Sequence, residues 1–572
     1  MKTPSQEQSA IIDAPLDPIS VVACAGSGKT YTVVRRLAEV QQKLDSQRGR
    51  VALLSFSNVA VDTFRRNYNS LTQKRSVSTR SNRVEIETLD GFITRNVLRP
   101  HAHRTMQASQ TAFLVSGREP FLSGFNVSSG DYPISITDVK VGLDQFGVNF
   151  YWLNNNQKKD LNREYTKKIV DRLGKSGAYT HDLGRYWCYR TLKEQPTILR
   201  ALARRYSHIL IDEAQDIGAV HQKILELLIS KGTKVSLIGD PNQGIYEFAG
   251  ADGGFLARYG KRPGVIEMKL TCNYRSVPSI VDLANKLSDR DDDPDRCVPK
   301  TKNGAFFIPY KATDLDNLVH TFQTAVLAAK LDIEKSAIIC RGNSLAEKLA
   351  GHKTEMGQGI VKQFALAAIA RDKKKDYFEA FKTVVACIAG LMVDLPRNWV
   401  ASVVQPAQGM ENRSLRRLIW YFTRNHETGL PCATLEADTE WHRLLRDRVT
   451  SLISMLEKDF DLKPVDNIGR KLAKRGLTNS PLVAAKDLHA SSDSAIRVDT
   501  VHQVKGESLD AVLYVTKKEH VVSMLAGTGS EVGRIGYVAV TRAKNLLWLA
   551  VPSSSLSELR TKLIAHGFQE VK

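Results

Sequence analysis

ISVVACAGSGKT, residues 19–30, decides the fold. Ile19 to Ala23 is a short, β-branched apolar run that reads as a buried parallel strand. The next residues change character at once. Gly26, Ser27 and Gly28 form a turn whose backbone N–H groups can wrap a phosphate, and a helix opening at Lys29 adds the positive end of its dipole. In such a loop the Lys29 ammonium reaches β/γ-phosphates and the Thr30 hydroxyl ligates Mg²⁺. Ala23 stands where the first glycine of the motif is usual.

Working outward, ILIDEAQD (209–216) supplies the complement. An apolar strand ends in Asp212, placed to hold Mg²⁺, and Glu213, placed to orient or deprotonate a water. Further runs of the same type are VALLSF (51–56), VEIET (84–88), KVSLI (234–238) and VIEMKL (265–270). A second set follows: FFIPY (306–310), SAIIC (336–340), IRVDT (496–500), AVLYV (511–515) and NLLWLAV (545–551). Strands alternating with helical patterns imply α/β cores with parallel sheets. The division expected is a first core of 1–95 and 195–287, interrupted by a helical insertion at 96–194. A second core of 288–345 and 495–572 is interrupted by a helical insertion at 346–494. The acidic, turn-rich SDRDDDPD (288–295) reads as the hinge. The 572 residues are too many for one hydrophobic core.

Lys and Arg outnumber Asp and Glu by 81 to 61, a net charge of +20 that favours a polyanionic partner. The seven cysteines form no CxxC pair, which argues against a zinc knuckle or iron–sulfur cluster. The N-terminus lacks an apolar signal core, and the longest apolar run, VVACIAGLMV (384–393), is half a membrane span. A cytoplasmic protein with no membrane partner is expected. The KKK cluster (373–375) reads either as a DNA-facing patch or as a solvated helix face.

GDPNQGIYEFAGAD (239–252) places phosphate chemistry (Asp240, Gln243) a few residues from aromatics suited to stacking on bases (Tyr246, Phe248). With TPSQEQSAI (3–11), SFSNVAVDTFRR (55–66), TLDGF (88–92), LTCNYRS (270–276), TVHQVKGES (500–508) and EVGRIGYVAVTRAK (531–544), it forms an ordered series. The series resembles the motifs of superfamily 1 helicases of the UvrD/Rep type. That resemblance implies two RecA-like P-loop cores, ATP and Mg²⁺ as cofactors, and 3′→5′ movement on single-stranded DNA and at single-strand/duplex junctions. It implies that Gln6, with Gln8 as the alternative, reads the adenine, and that Tyr274 stacks on it. Gln243 and Arg275 meet the γ-phosphate, Glu507 holds the ribose, and Arg542 is an arginine finger from the second core. Phe56, Asn58, Thr88, Tyr246, Phe248 and His502 fall on DNA-touching motifs.

Several positions depart from the family pattern. Ala249 replaces an Arg, Phe248 a Trp, Asp90 a His and Val59 a Lys, and Glu507 comes one place early. A carboxylate at Asp90 would repel a phosphate backbone unless it turns away. The expectation is intact ATPase chemistry with an altered grip on DNA. The chain also ends soon after the finger helix and shows no nuclease acid cluster. In this it is similar to the helicase-like subunit of the Gabija anti-phage system, which works with a separate nuclease. Two functions follow: a DNA translocase and helicase, or an ATPase that governs a partner nuclease.

Overall fold

A computed structural model describes residues 3–44, 49–74, 83–115, 117, 119–130, 132–154, 157–246, 250, 253–349, 358–373, 375–405, 412–477, 479–483 and 496–571. Six strands form the first sheet: β1 (Ile19–Ala23), β2 (Arg50–Ser55), β3 (Val84–Thr88), β4 (Tyr206–Ile211), β5 (Lys234–Gly239) and β6 (Ile266–Leu270). Their order across the sheet is β6-β1-β5-β4-β2-β3, and every pairing is parallel. The strand β1 therefore pairs only with late strands, Ser20 standing opposite Leu237 of β5 and Glu267 of β6.

The second sheet comprises β7 (Gly304–Tyr310), β8 (Ala337–Cys340), β9 (Arg497–Thr500), β10 (Leu509–Val515), β11 (Ala543–Pro552) and β12 (Gln569–Glu570). Its order is β9-β8-β10-β11-β7-β12, again wholly parallel. The central strands are buried on both faces, which is why β1, β5 and β10 read as largely apolar runs, whereas the edge strands β3, β6 and β9 carry charged residues. In β2, Ala52 and Leu54 pack on one face while Val51 and Leu53 pack on the other.

The two insertions are embedded differently. Residues 96–194 are not the mainly helical segment expected. Beside helices such as Arg163–Lys175 and His181–Glu194 they hold an antiparallel sheet of Lys140–Asp144, Gly147–Asn154 and Gln157–Asp160, with smaller strand pairs. Gln157–Asp160 is exposed at all four positions, so no apolar alternation marks it. The insertion's apolar residues join the first core: Phe150, Val170, Leu183 and Trp187 belong to one continuous cluster with Leu54, Ile211 and Leu237. The second insertion is helical among the described residues, and its cluster runs from Val361 to Val483 with no residue of either sheet in it.

The 288–295 stretch differs from a free hinge. Asp293 N–H donates to Thr271 O at 3.1 Å and Asp295 N–H to Asn273 O at 2.9 Å, while Asn285 and Asp292 exchange hydrogen bonds. It is a strap tied along the loop after β6. No described helix is long and apolar enough to cross a membrane.

Candidate nucleotide and nucleic-acid site

The phosphate loop follows β1 and opens the helix Lys29–Lys43. Gly26 and Gly28 have φ of 77° and 78°, the left-handed region that favours glycine. Space demands glycine as well. A Cβ on Gly26 would lie 2.5 Å from the Arg275 Cβ, and one on Gly28 would lie 2.8 Å from Gln8 Nε2. The loop after β6 thus braces the phosphate loop, and Tyr274 N–H donates to Gly26 O at 3.0 Å.

A cavity of about 660 Å³ lies against this loop. Its walls bring together Gly26, Ser27, Gly28, Lys29, Thr30, Glu213, Gln243, Tyr274, Arg275 and Arg542, as the ordered motifs require. Arg542 is 1% exposed. Its guanidinium leaves the second core and donates to Gln243 Oε1 of the first at 2.7 Å. Arg275 donates to Thr541 O at 2.9 Å, so the two guanidiniums lie close together. Burial, then the neighbouring Arg542, brings Arg275 down to about 9. An anion in this cavity meets Lys29, Arg275 and Arg542 with Glu213 the lining carboxylate.

Asp212 is buried at the end of β4, held by its N–H donating to Leu54 O at 2.9 Å. Burial, then the adjacent Glu213, raises the Asp212 carboxyl. Burial would raise Glu213 too, but Lys29 and Lys505 outweigh it and hold that carboxyl low. Glu213 has φ of 55°, in the left-handed region. Asp212 Oδ1 is buried with no hydrogen-bond partner among the described residues. An orphaned acceptor beside Thr30 fits a hard divalent cation such as Mg²⁺. Asp372, His426 and Cys432 in the second insertion also bring donor atoms within 4.8 Å of one another. There the Arg371 guanidinium already holds both Asp372 oxygens, at 2.5 and 2.8 Å, so a cation would meet a positive charge.

Two nucleotide expectations change. Gln6 is exposed, whereas Gln8 is buried and donates to Ser27 O at 3.1 Å, so of the two Gln8 is the one that touches the phosphate loop. Glu507 turns its carboxylate to Arg497 and away from the 660 Å³ cavity, which Gly506 and Ser508 line instead. Its early position, two residues after Lys505, puts it on the other wall.

That wall belongs to a second cavity of about 550 Å³, bounded by both cores and the first insertion. Phe56, Tyr246 and His502 line it together. The rings of Tyr246 and His502 are 5.7 Å apart, and Lys505 lies over Tyr246 at 4.6 Å. Asn58 is exposed at the start of the helix Asn58–Lys74. Thr88 caps the helix Leu89–Ile93, its Oγ1 accepting from Gly91 N–H at 3.0 Å. Phe248, Ala249 and Lys374 lie outside the described residues. Val59 is 76% exposed at the cavity edge.

Asp90 is half-buried, and its carboxylate is taken up by side chains of the protein. Arg185 of the first insertion donates to both its oxygens, at 3.0 and 2.8 Å, and His221 Nε2 lies 3.0 Å from Oδ1. Burial would raise this carboxyl, but hydrogen bonds from His181, His221 and Arg185 outweigh it and hold it well below the ordinary range. A depressed carboxyl adds stability that is present above its unfolded pKa and lost as pH falls through the folded value. Asp90→Ala is expected to cost about 2–3 kcal/mol near neutral pH, and less in acid, because it leaves Arg185 without its main partner. Thermal unfolding across pH checks this; a loss independent of pH would count against the ion-pair account.

Residues with no individual reading also meet here. Lys505 donates to both oxygens of Asp216 at 2.7 and 2.6 Å, joining the cores by a buried ion pair. Arg534 donates to Gly244 O at 2.6 Å. Both lie inside motifs already quoted, so the motifs were the available signal.

The comparisons agree with this geometry. The family model for the UvrD/REP helicase N-terminal domain matches residues 4–263, and that for the UvrD-like helicase C-terminal domain matches 411–554. The chain is similar to YjcD of Bacillus subtilis at 22% identity over 94% of this chain and 77% of the relative. It is 25% identical to DNA helicase II of Escherichia coli over 50% of this chain and 40% of that protein. DNA helicase II of Haemophilus influenzae is 23% identical over 50% of this chain and 40% of its own length. With two matched domains in order, two parallel-sheet cores and an arginine crossing between them, the chain belongs to the UvrD-like family of ATP-dependent DNA helicases.

Proposed function

We propose that the protein hydrolyses ATP to move 3′→5′ along single-stranded DNA and to open duplex at junctions. One observation carries the link between the two activities: Thr30, Glu213 and Gly506 line both cavities. A change at the γ-phosphate end of the first cavity is felt in the wall of the second without a long relay. In this reading Glu213 accepts a proton from the attacking water, and Lys29, Arg275 and Arg542 stabilise charge on the transferred phosphoryl group. Mg²⁺ held by Thr30 and Asp212 would neutralise phosphate charge. Gln8 and Tyr274 hold the base. Phe56 and Tyr246 offer stacking faces, worth about 1–3 kcal/mol per base and tolerant of sequence. The direction of movement comes from the family resemblance, whereas a cytoplasmic location rests on the cysteine pattern and the polar N-terminal sequence.

Strand displacement on 3′- and 5′-tailed duplexes tests the reading. Unwinding of the 3′-tailed substrate alone is expected, and Lys29→Ala is expected to lower turnover about 10²-fold or more. A variant that keeps DNA-stimulated turnover would remove Lys29 from the site. The second reading, an ATPase governing a partner nuclease, is favoured instead if ATP turnover responds to DNA while neither duplex is opened.

A further inference from the structure

The strap between the cores carries a cation into the catalytic wiring. The helix Pro278–Ser288 ends at Asp289, whose φ of 52° turns the chain back so that Arg290 points inward. Arg290 Nε and one terminal nitrogen donate to the two oxygens of Asp292, both at 2.9 Å. Its other terminal nitrogen lies 3.7 Å from Asp240 Oδ1. Asp240 is fully buried, and its Oδ2 accepts from Gln243 Nε2 at 2.6 Å. Gln243 Oε1 in turn accepts from Arg542 at 2.7 Å. The row Arg290, Asp240, Gln243, Arg542 thus runs from the strap, through the first core, to the finger of the second.

We propose that Arg290 is a positioning residue that sets the orientation of the Gln243 amide and, through it, of Arg542. This rests on the ATPase reading above. A glutamine amide has a donor end and an acceptor end. Asp240 only accepts and Arg542 only donates, so the two together allow one orientation. Asp240 fills its role only while its buried charge is balanced, and Arg290 provides the balancing charge from a place away from the nucleotide cavity. Without Arg290, the carboxylates of Asp240 and Asp292 face each other uncompensated. Repulsion then shifts Asp240, and the amide loses its fixed end.

The test is steady-state ATP hydrolysis with saturating single-stranded DNA, beside thermal unfolding. Arg290→Met is expected to lower kcat about 10-fold or more while KM for ATP stays within about twofold, since the base and phosphate-loop contacts are untouched. Arg290→Lys restores part of the loss. Adding Arg290→Met to Gln243→Ala brings no further drop, because the two act in one row. If Arg290→Met does not fold, Arg290→Lys alone and on Gln243→Ala gives the same cycle. Unchanged kcat in Arg290→Met, or a full additional loss on Gln243→Ala, overturns the proposal. A wild-type protein without ATP turnover overturns the ATPase reading instead.

Discussion

Arg542→Ala is expected to reduce DNA-stimulated ATP turnover by about 10³-fold or more, and Arg542→Lys to recover little of it. The argument starts from placement. Arg542 ends the helix Glu531–Arg542 of the second core, yet its guanidinium is buried against Gln243 of the first. Four acceptors fix it: Val538 O at 3.1 Å, Glu507 O at 3.2 Å, Gln243 Oε1 at 2.7 Å and Thr541 Oγ1 at 3.3 Å. A lysine ammonium cannot reach acceptors set around a planar fork, so charge alone does not substitute. Burial makes the effect large, because a charge held ready in a dry site needs little reorganisation when the phosphoryl group develops its own. Turnover with and without DNA measures it, with nucleotide binding as the control. Loss of nucleotide affinity with unchanged turnover at saturation would assign Arg542 to ground-state binding.

The second large effect concerns the insertions. Replacing residues 350–495 by a short Gly/Ser linker is expected to leave both sheets folded, whereas excising 96–194 is expected to prevent folding. Leu349 and Ile496 pack in the same cluster, so the ends of the second insertion are already adjacent, and its own cluster contains no sheet residue. Among the described residues, the apolar side chains of the first insertion belong to the cluster of the first core. Removing the insertion strips Val97, Leu183 and Trp187 from the apolar cluster they share with Phe92 and Leu54, and it leaves Asp90 without Arg185. Circular dichroism and limited proteolysis of the two deletions distinguish them. Equal collapse of both would show that the second insertion is not an autonomous unit.

What was legible in the chain follows from the range of each interaction. The phosphate loop, Asp212 and the parallel strands were readable because each is a local pattern: a strand, a turn and a helix start within a dozen residues. Gln6 and Gln8 were not separable, since they lie on different faces of one short helix and the choice depends on which face meets the phosphate loop. Asp90 read as an oddity because Arg185 lies 95 positions away. Arg290 was hidden for another reason. It lies in an acid-rich run that has the composition of a solvated linker and is mostly exposed, and only the fold shows that Arg290 and Asp292 turn inward toward Asp240. The strands of the first insertion escaped notice because one, Gln157–Asp160, is wholly polar and another, Gly147–Asn154, has apolar residues on both faces, so neither shows the alternation of a half-buried strand.

The strand order also governs how this protein is made. The strand β1 carries the phosphate loop at the start of the chain, yet its neighbours β5 and β6 are near residues 234–239 and 266–270. At about 5–20 residues per second, a ribosome leaves ISVVA without its partners for roughly 10–50 s. During that interval the nascent chain has an apolar strand with two open edges and no nucleotide pocket, since the loop after β6 that braces Gly26 does not yet exist. Synthesis therefore separates the birth of the phosphate loop from the birth of the ATP site, and it makes the early chain a client for chaperones rather than for nucleotide.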